Sequence, residues 1–167
     1  MIESLGCTTR IHPWQSIDHD SLKEAKGIVL SGSPAYLTEI DHAPFHKQCG
    51  FLKETVVPVL GICFGHQVLG ILHGAQIYRG AEVRGPNSIK IVEADPLFKG
   101  LGKETLMTED HTEGINLPEG FTHLALSASY LNEGMKHKTK PIWSIQFHPE
   151  VSAENGLLVF RNFCTLL

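Results

Sequence analysis

The stretch that most constrains the fold of this chain is VVPVLGICFGHQVLG, residues 56–70. Its first half is β-branched and continuously apolar, which is typical of a buried strand in a parallel sheet. Its second half has apolar residues at helical spacing, and Gly74 follows as a helix-ending residue. Cys63 lies between the two halves, with Gly61 and Gly65 on either side. The stretch therefore predicts a sharp strand-to-helix turn that presents one thiol.

This G-x-C-x-G pattern is the cysteine counterpart of the G-x-S-x-G nucleophile elbow. The glycines remove side chains from a turn where other backbone approaches the nucleophile closely. The N-terminus of the helix favours the thiolate of Cys63, and the N–H of Phe64 is left to face a developing oxyanion. A buried structural cysteine is the competing interpretation, since free cysteine is frequently a core residue.

A second motif, SIQFHPEV, places His148 and Glu150 after another apolar strand. Residues two apart in extended backbone point to the same side, and Pro149 stiffens the chain between them. His148 can then face a nucleophile while Glu150 supports its imidazole, as base and orienting carboxylate do in a triad. Taken alone, a solvated histidine beside a surface glutamate is the simpler explanation.

A third motif, VLSGSPAYL at residues 29–37, ends an apolar strand in the small residues Ser31, Gly32 and Ser33. Small residues at the carboxyl edge of a sheet let backbone N–H groups face a ligand, although an ordinary turn explains this stretch equally well. All three motifs follow apolar strands, and open α/β sheets place their sites where such strands end. Together they favour one catalytic site at that edge.

The remaining pattern predicts an α/β fold in a single domain, residues 1–167. The first half alternates strands and helices, whereas the second half has short strands divided by turns and a closing helix, AENGLLVFRNFCTLL. We therefore expect a three-layer, open, mostly parallel sheet of flavodoxin-like type with an added antiparallel hairpin region. TTRIHPW, residues 8–14, is predicted as a short strand, and MIESLG as the end of a helix closed by Gly6.

The beginning of the chain departs from the usual pattern, because a parallel α/β domain normally opens with a strand and then a helix. No segment before MIESLG supplies that strand. We expect the sheet to lack its usual first strand, or to be disturbed at that edge. Unpaired strand edges invite pairing with another chain, so an inactive folded chain or a homodimer joined there would follow.

Composition excludes several classes of protein. An apolar fraction of 42% and a charged fraction of 19% are ordinary for a globular protein. No apolar run approaches the ~20 residues of a membrane span, and the N-terminus lacks the regions of a signal peptide. The net charge of −4 is unlike that of a general nucleic-acid binder. The four cysteines form no C-x-x-C pair and the ten histidines are scattered, so we expect reduced thiols, a cytoplasmic location and no metal site.

GICFGHQ and QFHPE, preceded by LSGSP, resemble the class I, triad-type glutamine amidotransferases over nearly the whole chain. The resemblance implies that Cys63 is the nucleophile, His148 the general base and acid, and Glu150 the group that orients His148. It implies an oxyanion hole made by the N–H groups of Phe64 and Ser33. An α/β fold with these loops at one sheet edge is also what the resemblance implies.

The resemblance further implies contacts with the substrate from Gln67, which helps hold its amino-acid end, and from Gly32 and His111. Within the class, the chain is most similar to the glutaminase part of GMP synthase, through EADPLFKGL, NLPEGFTHLALS and HKTKPIWSIQFHPEV. It keeps only His111 of the Ser-His-Gly-Asp stretch of that group. Ser33 and His66 also stand where glycine and methionine are usual.

The activity implied by the resemblance is hydrolysis of glutamine to glutamate and ammonia through a Cys63 thioester. The ammonia would pass to an ATP-dependent synthetase that converts XMP to GMP in purine biosynthesis. No G-x-x-x-x-G-K-[ST] segment is present, so we expect no cofactor on this chain and ATP and Mg²⁺ only on that partner. Two alternatives stay open, a stand-alone γ-glutamyl hydrolase or peptidase and a non-catalytic relative.

Overall fold

The computed structural model describes residues 1–17 and 20–167, which contain one seven-stranded sheet and three α-helices. The strands are β1 (Ile28–Leu30), β2 (Val59–Ile62), β3 (Ile77–Ile91), β4 (Glu104–Ile115), β5 (Phe121–Leu126), β6 (Gly134–His137) and β7 (Ile142–Ile145). The helices are α1 (Ala43–Cys49), α2 (Phe64–Leu72) and α3 (Ala153–Cys164), with short 3-10 helices between elements. None of the helices in the described ranges is long and apolar enough to cross a membrane.

The sheet, in the order β1-β2-β7-β6-β5-β3-β4, has a parallel half and an antiparallel half. β1 pairs with β2 and β2 with β7 in parallel, whereas β6, β5, β3 and β4 continue the sheet through antiparallel pairs. The predicted α/β class and antiparallel hairpin region are confirmed, although antiparallel pairings outnumber parallel ones among the described strands. The second half was predicted to consist of short strands, but β3 is a single strand of 15 residues, whose register shifts between Arg79 and Val83.

Helices cover both faces of the parallel half, so the expected three layers are present. On one face α1 and α2 pack over Val59 of β2 and Ile142 of β7. On the other face α3 packs over Leu60 and Ile62 of β2 and Ile145 of β7. Because successive side chains of a strand point to opposite faces, every residue of β2 and β7 is buried. Cys63 therefore directly follows a strand that is buried along its whole length.

The N-terminal segment differs from its prediction. Residues 8–14 contain no strand; the chain is irregular there and then forms the 3-10 helix Trp14–Ser16. β1 is the edge of the sheet among the described strands, and this segment does not pair with it; strand propensity alone does not order backbone that lacks a ladder partner. Side chains hold the segment instead, since Trp14 stacks on Phe45 with ring centroids 4.2 Å apart. The prediction that Gly6 ends a helical turn is confirmed. A short 3-10 helix, Glu3–Leu5, ends at Gly6, whose φ is 87°.

Candidate active site

Cys63 lies in the turn between β2 and α2, with φ 49° and ψ −106°. Non-glycine residues rarely adopt positive φ, and such strain clusters at functional sites. The flanking glycines are required by close backbone approaches. A Cβ on Gly61 would lie 2.7 Å from the carbonyl oxygen of Gly65, and a Cβ on Gly65 would lie 2.3 Å from that of Leu30. The predicted elbow is confirmed.

His148 and Glu150 lie in the loop that follows β7. His148 Nδ1 donates to Glu150 Oε1 at 2.6 Å, which orients the imidazole and leaves Nε2 for other chemistry. The His148 backbone N–H donates to the Thr108 carbonyl at 2.8 Å, and Ser152 Oγ donates to the His148 carbonyl at 2.6 Å. These bonds fix the backbone that carries the imidazole. Within residues 1–17 and 20–167, His148 Nε2 is buried and has no hydrogen-bond partner.

Gly32 places the third motif against the side chains of His148 and Cys63. A Cβ on Gly32 would lie 3.0 Å from Cε1 of His148 and 3.6 Å from the Cβ of Cys63. The loop after β1 therefore contacts both side chains because residue 32 is glycine. Three motifs that are widely separated in the sequence meet at one point of the sheet edge, as predicted.

The charges of the site reinforce one another. The neighbouring Cys63 side chain, and then the hydrogen bond to Glu150, raise the pKa of His148 to about 10 against the opposing effect of burial. Burial would raise the pKa of Glu150, but the hydrogen bond from His148 lowers it. The site therefore favours an imidazolium held by a carboxylate.

A cavity of about 150 Å³ opens beside Cys63. Its walls include Ser33 and Tyr36 from the loop after β1, and Gln67 from α2. A slightly larger hollow of about 180 Å³ lies at Asp95 and Lys136, away from the thiol. In that hollow the Lys136 ammonium already forms an ion pair with Asp95 at 3.2 Å. The cavity beside Cys63 is therefore the better candidate for the substrate site.

Ser33 and Phe64, the predicted oxyanion donors, lie in the loop after β1 and at the start of α2. Phe64 is the first residue of α2, where backbone N–H groups have no intrahelical acceptor. Ser33 lines the cavity, and its Oγ accepts a hydrogen bond from the Ala35 N–H at 3.2 Å, which supports the turn. Both positions suit an oxyanion hole, and their role stays a prediction.

Gln67 and His111, predicted as substrate contacts, both line the cavity, yet protein groups already contact the Gln67 NH₂ group and both ring nitrogens of His111. Gln67 Nε2 donates to the Glu113 carbonyl at 2.9 Å and to Gln146 Oε1 at 3.1 Å. His111 Nδ1 donates to the Glu113 carbonyl at 2.9 Å, and its Nε2 lies 3.1 Å from Glu109 Oε2. His111 therefore shapes the wall, and the Gln67 NH₂ group braces β4 and the end of β7.

Glu113 is a residue whose importance the motifs did not indicate. It is 2% exposed, and its Oε2 accepts the Leu37 N–H at 2.7 Å. Its Oε1 accepts the Thr38 N–H at 3.1 Å and also the Thr38 hydroxyl. One carboxylate thus holds the end of the loop that contains Gly32 and Ser33. No local signal reveals this, because the partners lie far apart in the sequence.

Comparisons with known proteins agree with this geometry. The family model described as Glutamine amidotransferase class-I matches residues 1–166. A protein of Methanosarcina barkeri, named as one subunit of a glutamine-hydrolyzing GMP synthase, is 36% identical over 170 residues, covering 97% of this chain and 85% of that protein. The glutamine-hydrolyzing GMP synthase of Brachyspira hyodysenteriae is 35% identical over 167 residues, covering 97% of this chain but 32% of that longer protein.

The fold agrees as well. The crystal structure of a protein from Thermoplasma acidophilum, described as one subunit of a GMP synthase, superimposes with a TM-score of 0.90 at 34% sequence identity. The match covers 99% of this chain and 83% of that one. The mixed sheet and the helices on both of its faces are therefore shared with this relative.

Proposed function

The chain belongs to the class I glutamine amidotransferases, and on this premise we propose that it is the glutaminase component of a GMP synthase. The observation that carries the proposal is the Cys63 elbow beside the His148–Glu150 pair, whose nitrogen and oxygen are 2.6 Å apart. Strain at the thiol, a supported imidazole and an adjoining cavity are the parts that a covalent amidohydrolase needs. A core cysteine needs none of them.

Each residue of the site has a defined role in this proposal. The Cys63 thiolate attacks the side-chain amide carbon of glutamine, and the N–H groups of Phe64 and Ser33 stabilise the oxyanion, each by about 3 kcal/mol. His148 then protonates the departing ammonia, which leaves a γ-glutamyl thioester on Cys63. Water activated by His148 attacks that thioester and releases glutamate, while Glu150 keeps the imidazole oriented.

The cavity suits the rest of the glutamine molecule. Gly32 gives the substrate close access to the pair formed by Cys63 and His148. Because the Gln67 NH₂ group is already engaged, its carbonyl oxygen is the atom that would contact the substrate. His111 would shape the pocket without donating to the ligand. Cys63 is only 4% exposed, so the reaction proceeds in a site largely closed to water.

A glutaminase that acts alone wastes its ammonia, so the proposal includes a synthetase that uses ATP and Mg²⁺ to aminate XMP. Two observations support this partner. The similar archaeal protein is named as one subunit of an enzyme, and the region matching this chain is a third of the longer GMP synthase of Brachyspira hyodysenteriae. A cytoplasmic location is part of the same proposal, since the nucleotide substrates are found there.

The proposal is tested by glutamate release from glutamine, with and without a GMP-forming synthetase together with ATP, Mg²⁺ and XMP. We expect release by the unaltered chain that rises with the synthetase and XMP, and loss of release in Cys63→Ala. Cys49→Ala is the matched control, because Cys49 is also buried but lies in α1. It should keep activity.

Two outcomes would contradict the proposal. No Cys63-dependent release under either condition would indicate a non-catalytic relative. Release that is indifferent to the synthetase and XMP, and faster on γ-glutamyl peptides, would indicate a stand-alone hydrolase. Circular dichroism of each variant separates loss of chemistry from loss of folding.

A further inference from the structure

Three buried side chains behind the cavity wall form a cluster that glutamine hydrolysis does not use. Glu109 and His111 lie on β4, and Glu133 lies immediately before β6. Both glutamates are 0% exposed and His111 is 8% exposed. One ligand atom from each residue lies within 4.8 Å of the others. Buried ionisable groups of this kind are normally paired or bound to a metal.

The Nε2 atom of His111 faces the cluster, because the backbone holds the other ring nitrogen. The Nδ1 atom lies 2.9 Å from the backbone carbonyl of Glu113, which can only accept, so Nδ1 carries the hydrogen. The other ring nitrogen, Nε2, lies 3.1 Å from Glu109 Oε2. A backbone carbonyl that fixes the opposite ring nitrogen is the usual support of a metal-binding histidine.

Both carboxylates are held in the same manner. Asn87 Nδ2 donates to Glu109 Oε1 at 3.3 Å, and Ser127 Oγ donates to Glu133 Oε1 at 2.7 Å. In the part of the chain that the structure describes, Glu133 Oε2 is buried without any hydrogen-bond partner. An unpaired buried oxygen is costly, so this atom points to a ligand. Each of the three residues thus has one supported atom and one atom facing the cluster.

The charges also favour a cation. Two ionised carboxylates carry two negative charges, which a divalent cation would neutralise. The same cation would satisfy Glu133 Oε2.

We propose that Glu109, His111 and Glu133 bind one divalent transition-metal ion, through the imidazole Nε2 and one oxygen of each carboxylate. A set of one nitrogen and two oxygen ligands suits Mn²⁺ or Zn²⁺. Because His111 also lines the cavity beside Cys63, the ion stiffens that wall and takes no part in the attack on glutamine. The sequence pattern predicted no metal site, since Glu133 is not linked to the other two residues by any ligand motif. The inference is independent of the proposed glutaminase activity.

Mn²⁺ binding to the full chain, measured by equilibrium dialysis and by electron paramagnetic resonance, tests the site. We expect one Mn²⁺ per chain and at least a tenfold weaker affinity in Glu133→Gln, which removes one ligand charge and keeps the shape. Glu119→Gln is the matched control, because Glu119 is exposed and should leave the affinity unchanged. Without metal, Glu133→Gln should remain folded, since the change also removes repulsion with Glu109.

Three further measurements test whether the metal binds at Cys63 or elsewhere instead of at this cluster. Cys63→Ala should bind Mn²⁺ as the unaltered chain does, and bound Co²⁺ should show no thiolate charge-transfer band. Mn²⁺ should raise the thermal unfolding midpoint of the unaltered chain and of Glu119→Gln, but not of Glu133→Gln. Absence of binding, unchanged affinity in Glu133→Gln, or loss of binding in Cys63→Ala would each overturn the proposal.

Discussion

The two loops that meet at the Cys63 side chain are held in place by different means. The elbow after β2 is fixed by close backbone contacts, because β2 is fully buried and Gly65 lies against the carbonyl of Leu30 in β1. The loop after β1 begins at an edge strand, where Val29 is 37% exposed, and is anchored mainly by the carboxylate of Glu113. Backbone sterics hold the first loop, and one side chain holds the second.

This difference matches the tasks proposed for the two loops. The thiol must be aimed at one carbon atom, and an error of about 1 Å in such an alignment costs about a hundredfold in rate. The loop after β1 also borders the cavity where the substrate enters, so limited adjustment there is useful. If the comparison is correct, substitutions in the elbow should affect folding, whereas those around the second loop should affect activity more.

The largest effect is expected for Gly65→Ala. The new Cβ would lie 2.3 Å from the Leu30 carbonyl oxygen, so β1 or the elbow must shift. We expect the free energy of unfolding to fall by about 3 kcal/mol, measured by urea denaturation. Gly50→Ala is the control, because a Cβ there meets nothing within 4 Å and its φ of −57° is helical. Equal stability of the two variants would show that sterics do not fix the elbow.

Glu113→Gln should have the next largest effect. The substitution turns one accepting oxygen into an NH₂ group that faces backbone N–H donors of Leu37 and Thr38. We expect a loss of about 2 kcal/mol in unfolding free energy and a lower kcat/KM for glutamine hydrolysis. Glu39→Gln is the control, since its ion pair with Arg79 is exposed and contributes little to stability. If Glu113→Gln is as active as this control, the Glu113 carboxylate does not anchor the loop after β1.

Glu150→Gln should change how stability depends on pH. The folded pKa of His148, about 10, lies above its ordinary value of 6.5. Its stabilisation is therefore complete below about pH 6.5 and is lost as the pH rises towards 10. The lowered pKa of Glu150 makes its own contribution complete above about pH 4.5. The difference in unfolding free energy between wild type and variant should thus be largest at about pH 5–6.5 and shrink towards pH 10.

Urea denaturation across that pH range measures the difference, and NMR titration of His148 measures the pKa directly. Glu154→Gln, an exposed carboxylate in the first turn of α3, should give a difference that stays flat over the same range. A His148 pKa that is unchanged by Glu150→Gln would show that the carboxylate does not support the imidazolium.

The smallest effect is expected for Ser33→Gly. The variant keeps the backbone N–H proposed for the oxyanion hole and loses only the Oγ bond to Ala35, which is exposed. We expect kcat/KM to change by less than about threefold, in line with the loss of one solvated hydrogen bond. A tenfold or larger loss in steady-state kinetics would mean that the Ser33 side chain itself contacts the substrate.

The parts of the site that were predictable share one property. The elbow around Cys63 and the pair His148 and Glu150 are local patterns, in which neighbouring residues carry the mechanics of a turn or of an oriented base. The strand predicted at residues 8–14 was wrong for the opposite reason. A strand needs a neighbouring ladder, and whether one is available is not a local property.

The sequence by itself determined the α/β class, the family, and which thiol, imidazole and carboxylate belong together. Those features depend on backbone preferences and short spacings that any local segment carries with it. Only the tertiary structure decided that Glu113 anchors the loop after β1, and that Glu133 meets Glu109 and His111 inside the cavity wall. Such contacts join residues on different strands, so they exist only after the sheet has set its strand order and register.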